Sequence, residues 1–164
     1  MVLTTRELIG SFQNEVRILL HLVSKIDRVT LDYRPSPKQR SIFELLKYLT
    51  YMGPALIRAA EAGRFDPALW TVDEQAAETR DFDQTIAAIA AQADAYPALL
   101  ANMDFRTEIE MFGSRTTRGS FIVNAVLCGC AAYRMQLFLY LKACGREELS
   151  TMNLWVGIDA PVPT

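Results

Sequence analysis

Apolar positions recur along this chain in steps of three and four, the spacing that lines one face of an α-helix. Leu8, Phe12, Val16, Leu19, Val23 and Ile26 form the first such line and predict a helix from about Thr5 to Ile26. Ile42, Leu45, Leu46, Leu49, Leu56 and Ala60 form the second, in a helix that starts at Ser41 and can stop at Gly63. Ser41 and Glu44 make a capping box, each satisfying an amide donor that a helix start leaves free. Gly53-Pro54 interrupts this second helix. An interior proline loses a backbone hydrogen bond and crowds the preceding turn, so a kink is expected there, with the stripe in phase on both sides.

A third line runs through Phe82, Ile86, Ile89, Ala93, Tyr96, Leu100 and Met103, opened by Asp81 with Gln84 and bent at Pro97. A fourth runs through Ile122, Val126, Gly129, Tyr133, Leu137, Tyr140 and Cys144, from about Arg118 to the stop at Gly145. The connections differ in character. RVTLDYRPSPKQR, between the first two helices, reads as extended because each proline disfavours helix in the residue before it. The stretch through Phe65, Pro67 and Trp70 reads as a loop, and DFRTEIEMFGSRTTRG reads as an ordered loop, since an isolated hairpin is marginal. The end, NLWVGIDAPVPT, is expected to pack Trp155 against one end of the helices. Four helices with one wet face each bury their stripes most simply as a bundle. The fold expected is therefore all-α: one domain spanning 1–164, a four-helix bundle with a long extended connection between helices one and two.

Composition changes this picture little. The chain has 164 residues and is 51% apolar, enough for a substantial single core. No apolar run approaches the length that spans a bilayer. The start, MVLTTRELIG, has no basic segment followed by an apolar one, so no signal peptide is expected and a cytoplasmic location is. The net charge is −2 and the basic residues are scattered, which argues against nucleic acid as the main partner. The odd count of three cysteines, Cys128, Cys130 and Cys144, favours reduced thiols over a disulfide framework.

Candidate chemistry is sparse. The single histidine, His21, lies almost opposite the apolar line of helix one and reads as a solvent-facing or interface residue. With one histidine and no partner motif, a hydrolytic triad has no basis. Cys128 and Cys130 diverge by about 200° on a helix and cannot chelate one ion together. Cys130 flanks the fourth seam and reads as a small apolar filler, the alternative being a thiolate helped by Arg134. No glycine-rich phosphate loop occurs. The charged stretches DEQAAETRDFD and GREEL read as solvated surface.

Two stretches resemble the DinB-like superfamily of bacterial four-helix bundles. LDYRPSPKQRSIFELLKYLTYM, positions 31–52, is similar to the extended Arg-Pro segment that leads into the family's second helix. VLCGCAAYRMQLFLYLKACG, positions 126–145, is similar to its last long helix. Helix number, order and total length agree. Many members hold a divalent metal with three histidines, one in the second helix and two, four residues apart, in the last. The positions that match are Tyr48, Gly129 and Tyr133, so the resemblance implies a member without those metal ligands and without a metal cofactor. It then implies a neutral pocket for a small polar ligand, formed by Tyr48, Tyr133, Arg134 and Gln136, or tyrosines that plug the former cavity.

Three functional readings follow. One is a metal-free binding or structural homodimer, the dimer being implied by the resemblance, with Ile18 and Leu22 as a second apolar face on helix one. Another, by analogy, is a metal-dependent thiol transferase or hydrolase with substituted ligands such as Tyr48, Tyr133 and Cys130. The third is a small-molecule sensor. Whether the chain is an enzyme is left open by its residues.

Overall fold

The computed structural model describes residues 3–160. Six helices account for most of it: α1 (Thr5–Val23), α2 (Ile42–Leu49), α3 (Met52–Ala62), α4 (Pro67–Glu78), α5 (Phe82–Leu100) and α6 (Arg118–Ala143). Capping boxes open α1 (Thr4 with Glu7), α2 (Ser41 with Glu44) and α5 (Asp81 with Gln84), the last two as the sequence predicts. The bundle is square. Helix α1 packs on α5 and α6, and the α2–α3 pair packs on the same two helices from the far corner. The predicted stripes meet in the centre, where Phe12, Leu45, Leu46, Ile89, Val126 and Leu137 are completely buried. The all-α bundle read from the sequence is the fold observed.

Several local expectations are corrected. The second helix is two helices, and the break falls at Thr50–Tyr51, before Gly53-Pro54 rather than at it. Pro54 then lies in the first turn of α3, where its missing N–H costs no helical bond. The expected loop through Pro67 and Trp70 is helix α4. Asp66 caps it by accepting from the Ala68 and Leu69 amides, and Pro67 takes the first helical position.

The stretch before α6 is a hairpin, β1 (Glu108–Met111) paired antiparallel with β2 (Ser114–Thr117). Its two-residue turn has positive φ at both Phe112 and Gly113, 52° and 76°, the geometry of a type I′ turn. It rests on the bundle through buried Ile109 and Met111, which supplies the support an isolated hairpin lacks. The connection between α1 and α2 is not wholly extended, because a 3₁₀ turn, Arg28–Thr30, forms behind the Asp27 cap.

Trp155 is 60% exposed rather than tucked against a bundle end. The tail instead forms a π turn, Met152–Val156, that lies along α1. The last four residues of the expected tail, from Pro161 to Thr164, lie outside the described residues. This tail covers Ile18 of the second apolar face of α1, while Leu22 belongs to the bundle core. Ile18 and Leu22 are 1% and 0% exposed within a single copy, and a Cβ on Gly157 would sit 3.1 Å from Ile18. The face that the sequence leaves open for a second copy is thus covered by the chain itself.

Helix α6 contains a π-helical stretch, Ile122–Leu127. Against the expectation of no long apolar run, it is long and apolar enough to cross a bilayer by length and composition, with an 18-residue window of mean hydropathy 1.5. Only 22% of that window is buried in the bundle.

Candidate functional site

Tyr48 lies in the last turn of α2 and Tyr133 comes from α6, and their rings meet edge to face across the helix boundary, 5.1 Å between centroids. Arg40, from the connection that enters α2, lies flat over Tyr48 with its guanidinium carbon 3.9 Å from the ring centre. That cation–π contact holds a positive charge on the Tyr48 ring. Burial first, and then the Tyr133 hydroxyl beside it, raise the Tyr48 phenol well above the ordinary tyrosine range. It therefore stays neutral at physiological pH.

The cluster extends outward. Tyr51 packs on Tyr48 at 5.5 Å, and Trp70 of α4 touches Tyr51 at 5.0 Å and Tyr48 at 6.1 Å. Burial, with the nearby Glu74 carboxylate, pushes Tyr51 up to about 12. Phe65 continues the line 5.5 Å from Trp70, and Phe112 of the hairpin lies 5.2 Å beyond it. Aromatic pairs at these separations add about 0.5–1.5 kcal/mol each beyond simple burial. Here they tie α2, α4, the hairpin and α6 together.

Of the four residues expected to share a pocket, the structure brings Tyr48 and Tyr133 together and sends the other two elsewhere. Arg134 is 3% exposed and turns toward α1, where Glu15 accepts from Nε at 2.8 Å and from Nη2 at 3.1 Å. Its Nη1 donates to the Leu154 carbonyl, and the exposed Trp155 ring covers it at 5.4 Å. Gln136 donates to the Tyr140 hydroxyl, which donates in turn to the Arg40 carbonyl at 3.1 Å. Arg40 thus serves both tyrosines, by its cation and by its backbone.

Gly129, the third position matched in the resemblance, lies one turn before Tyr133. A Cβ there would touch the Met52 methyl at 3.6 Å, so Met52 fills the space beside it. Cys130 is partly buried, and burial with the Glu15 charge nearby pushes its thiol up to about 12. Cys128 is exposed. His21 contacts the tail, with Asn153 Nδ2 at 3.1 Å from its Nε2. Among the described residues, no three His, Cys, Asp or Glu side chains converge as a metal site would need.

Arg40, Tyr51, Trp70 and Glu15 were not singled out in the sequence. Arg40 immediately before a capping box was a readable signal. Trp70 was not, because it reaches the cluster only through α4.

No family profile and no curated protein matches this sequence. Among solved structures, the chain is similar to a DinB-like protein, YjoA, of Bacillus subtilis. The TM-score is 0.65 at 16% identity, and the match covers 87% of this chain and 94% of that one. The chain has a DinB-like fold. At that identity the likeness speaks for the architecture, and the DinB-like frame then fixes which faces meet: α2 against α6, with Tyr48 and Tyr133 across their boundary.

Proposed function

We propose that this chain is a metal-free binding protein that works as a homodimer and takes a small molecule against its aromatic cluster. The observation that carries the reading is the Tyr48–Tyr133 contact. Two phenols stand at positions where the resemblance sets imidazoles, and a phenol held neutral is a poor ligand for a divalent ion at pH 7. The same elevation weighs against Cys130 as a substitute, because metal binding uses the thiolate. A metal-dependent transferase or hydrolase with Tyr48, Tyr133 and Cys130 as ligands is therefore the weaker reading.

The homodimer draws support from α6. Cys128, Ala132, Met135 and Leu139 follow one another at steps of four, three and four, the seam spacing of paired helices. Leu139 is 56% exposed, and no charged side chain interrupts the seam. A second copy meeting it about a two-fold axis would bring apolar against apolar.

Two measurements test this. Elemental mass spectrometry on tag-free protein purified with zinc, nickel and manganese should find no metal near one equivalent. One equivalent of a single metal, lost in Tyr48→Phe or Tyr133→Phe, would give the enzyme reading the lead. Sedimentation should give the mass of two chains, reduced to one by Leu139→Glu. A monomer at all concentrations, or flotation of the chain with phosphatidylcholine vesicles, would remove the dimer.

A further inference from the structure

The aromatic cluster borders a small surface groove of about 100 Å³ between α3 and α4. Its floor is the row Ala55, Ala59 and Ala62, spaced so that three methyl groups face the same way and no long side chain fills the space. One side is the continuous surface of the Phe65 ring packed on the Trp70 indole, 5.5 Å between centroids, with Leu69 at the rim, 66% exposed. The groove so formed is shallow and apolar.

The charges at its mouth select a sign. Arg58 is paired with Asp73 across the groove, and the Asp66 carboxylate is occupied by the two α4 amides that it caps. Arg64, which also lines the groove, is exposed and has no carboxylate or hydrogen-bond partner for its side chain among the described residues. One cation is therefore unspent beside an apolar slot. An anion on a flat apolar body satisfies both features, whereas a cation would meet Arg64 as a like charge and a polar sugar would leave the rings unused.

We propose that this groove is a ligand site for a planar aromatic carboxylate, its ring system laid on the alanine floor against the packed Phe65 and Trp70 rings, its carboxylate on Arg64. The proposal deepens the binding-protein reading and rests on it. It was hidden in the sequence because α4, which supplies one wall, carries only one buried side chain, Ala77, and so leaves no stripe.

The probe is 2-naphthoate, titrated into the full chain carrying Trp155→Phe, so that Trp70 is the remaining indole. Saturable quenching to one equivalent is expected, with the neutral isostere 2-naphthamide weaker by about fivefold, the scale of one exposed charged contact. Arg64→Gln should erase that difference and leave 2-naphthamide unchanged. Ala59→Leu fills the floor and should abolish binding. Because Ala59 is nearly buried, Ala62→Phe, at an exposed position, repeats the test with less risk to the fold. No saturable quenching, equal affinity for acid and amide, or binding that survives Ala62→Phe in a folded chain would overturn the site. A stoichiometric ligand found elsewhere by thermal shift would sink this groove and spare the binding-protein reading.

Discussion

The Arg134 guanidinium and the Glu15 carboxylate form a two-bond pair, Nε to Oε2 at 2.8 Å and Nη2 to Oε1 at 3.1 Å, between α6 and α1. The arginine side chain is 4% exposed and the glutamate 16%. Removing one member of such a pair strands the other, which costs more than the pair itself contributes. Glu15→Gln should lower unfolding stability by about 3 kcal/mol, read from urea denaturation. Glu15→Leu combined with Arg134→Met should lose distinctly less, because no charge is left without a partner. If the double variant loses as much as the sum of the single ones, the pair is not acting as a unit.

Gly53 and Gly10 make an opposed pair. A Cβ on Gly53 would lie 2.6 Å from the Tyr96 hydroxyl, which donates to Gln92 Oε1 at 2.7 Å. Gln92 in turn donates to the Leu49 carbonyl at 2.7 Å, so Tyr96 cannot move without loosening a buried network. Gly10 sits mid-α1 with nothing within 4 Å of a built Cβ. Gly10→Ala should raise stability by about 0.5–1 kcal/mol through helix propensity. Gly53→Ala, in spite of the same propensity gain, should lower it by about 1–3 kcal/mol through overpacking. Opposite shifts in thermal midpoint check both.

How much of this was legible follows from what each element needs to declare itself. Helices α1, α2, α5 and α6 announced themselves because their stripes face a core and their caps are local, as with Ser41 and Glu44. Helix α4 did not: its polar faces stay wet, and its single signal was Asp66 before Pro67. The hairpin hid for a related reason. Its turn carries Phe112 at φ 52° where Asn or Gly is usual, held there by contacts with Phe65 and Phe121. At the site, the family resemblance paired Tyr48 with Tyr133 but could not say which way Arg134 turns. That direction is set by Glu15 and the tail, two partners more than a helix length away in sequence.

The tail brings a pH dependence. His21 Nε2 faces the Asn153 amide nitrogen, a donor, so the neutral ring is the one that fits. Partial burial and then Lys25 lower its pKa, Asp159 opposing and Arg17 assisting. The folded state then binds fewer protons than the unfolded one between the folded value and the ordinary value near 6.5, so stability rises with pH across that window. The contribution is fully present above about pH 6.5 and is lost as pH falls through the folded value. The carboxylates held low, Glu7, Glu44 and Asp104 among them, act only further down, below about pH 4.5. Urea midpoints should fall from about pH 7.5 to about pH 5.5, and His21→Gln should flatten that slope. A His21 proton resonance titrating above 6.5 would reverse the sign.

The thiols should sort by surroundings rather than by sequence. Cys128 and Cys130 are two residues apart, yet the first is exposed and the second is partly buried near Glu15, its thiol pushed up to about 12. Disulfide exchange with a chromogenic reagent requires thiolate and access together. Native protein should therefore release one equivalent quickly, from Cys128, and Cys128→Ser should remove that phase. Cys144 is partly exposed with its thiol raised by burial, and it should follow more slowly. Cys130, partly buried and with the thiol raised furthest, should react slowest of the three and speed up as urea is added. In the homodimer proposed above, Cys128 lies on the α6 seam, so its fast phase should slow as protein concentration rises and recover in Leu139→Glu. A Cys128 rate that ignores concentration, in a chain that sediments as a pair, would place the dimer contact on some other face.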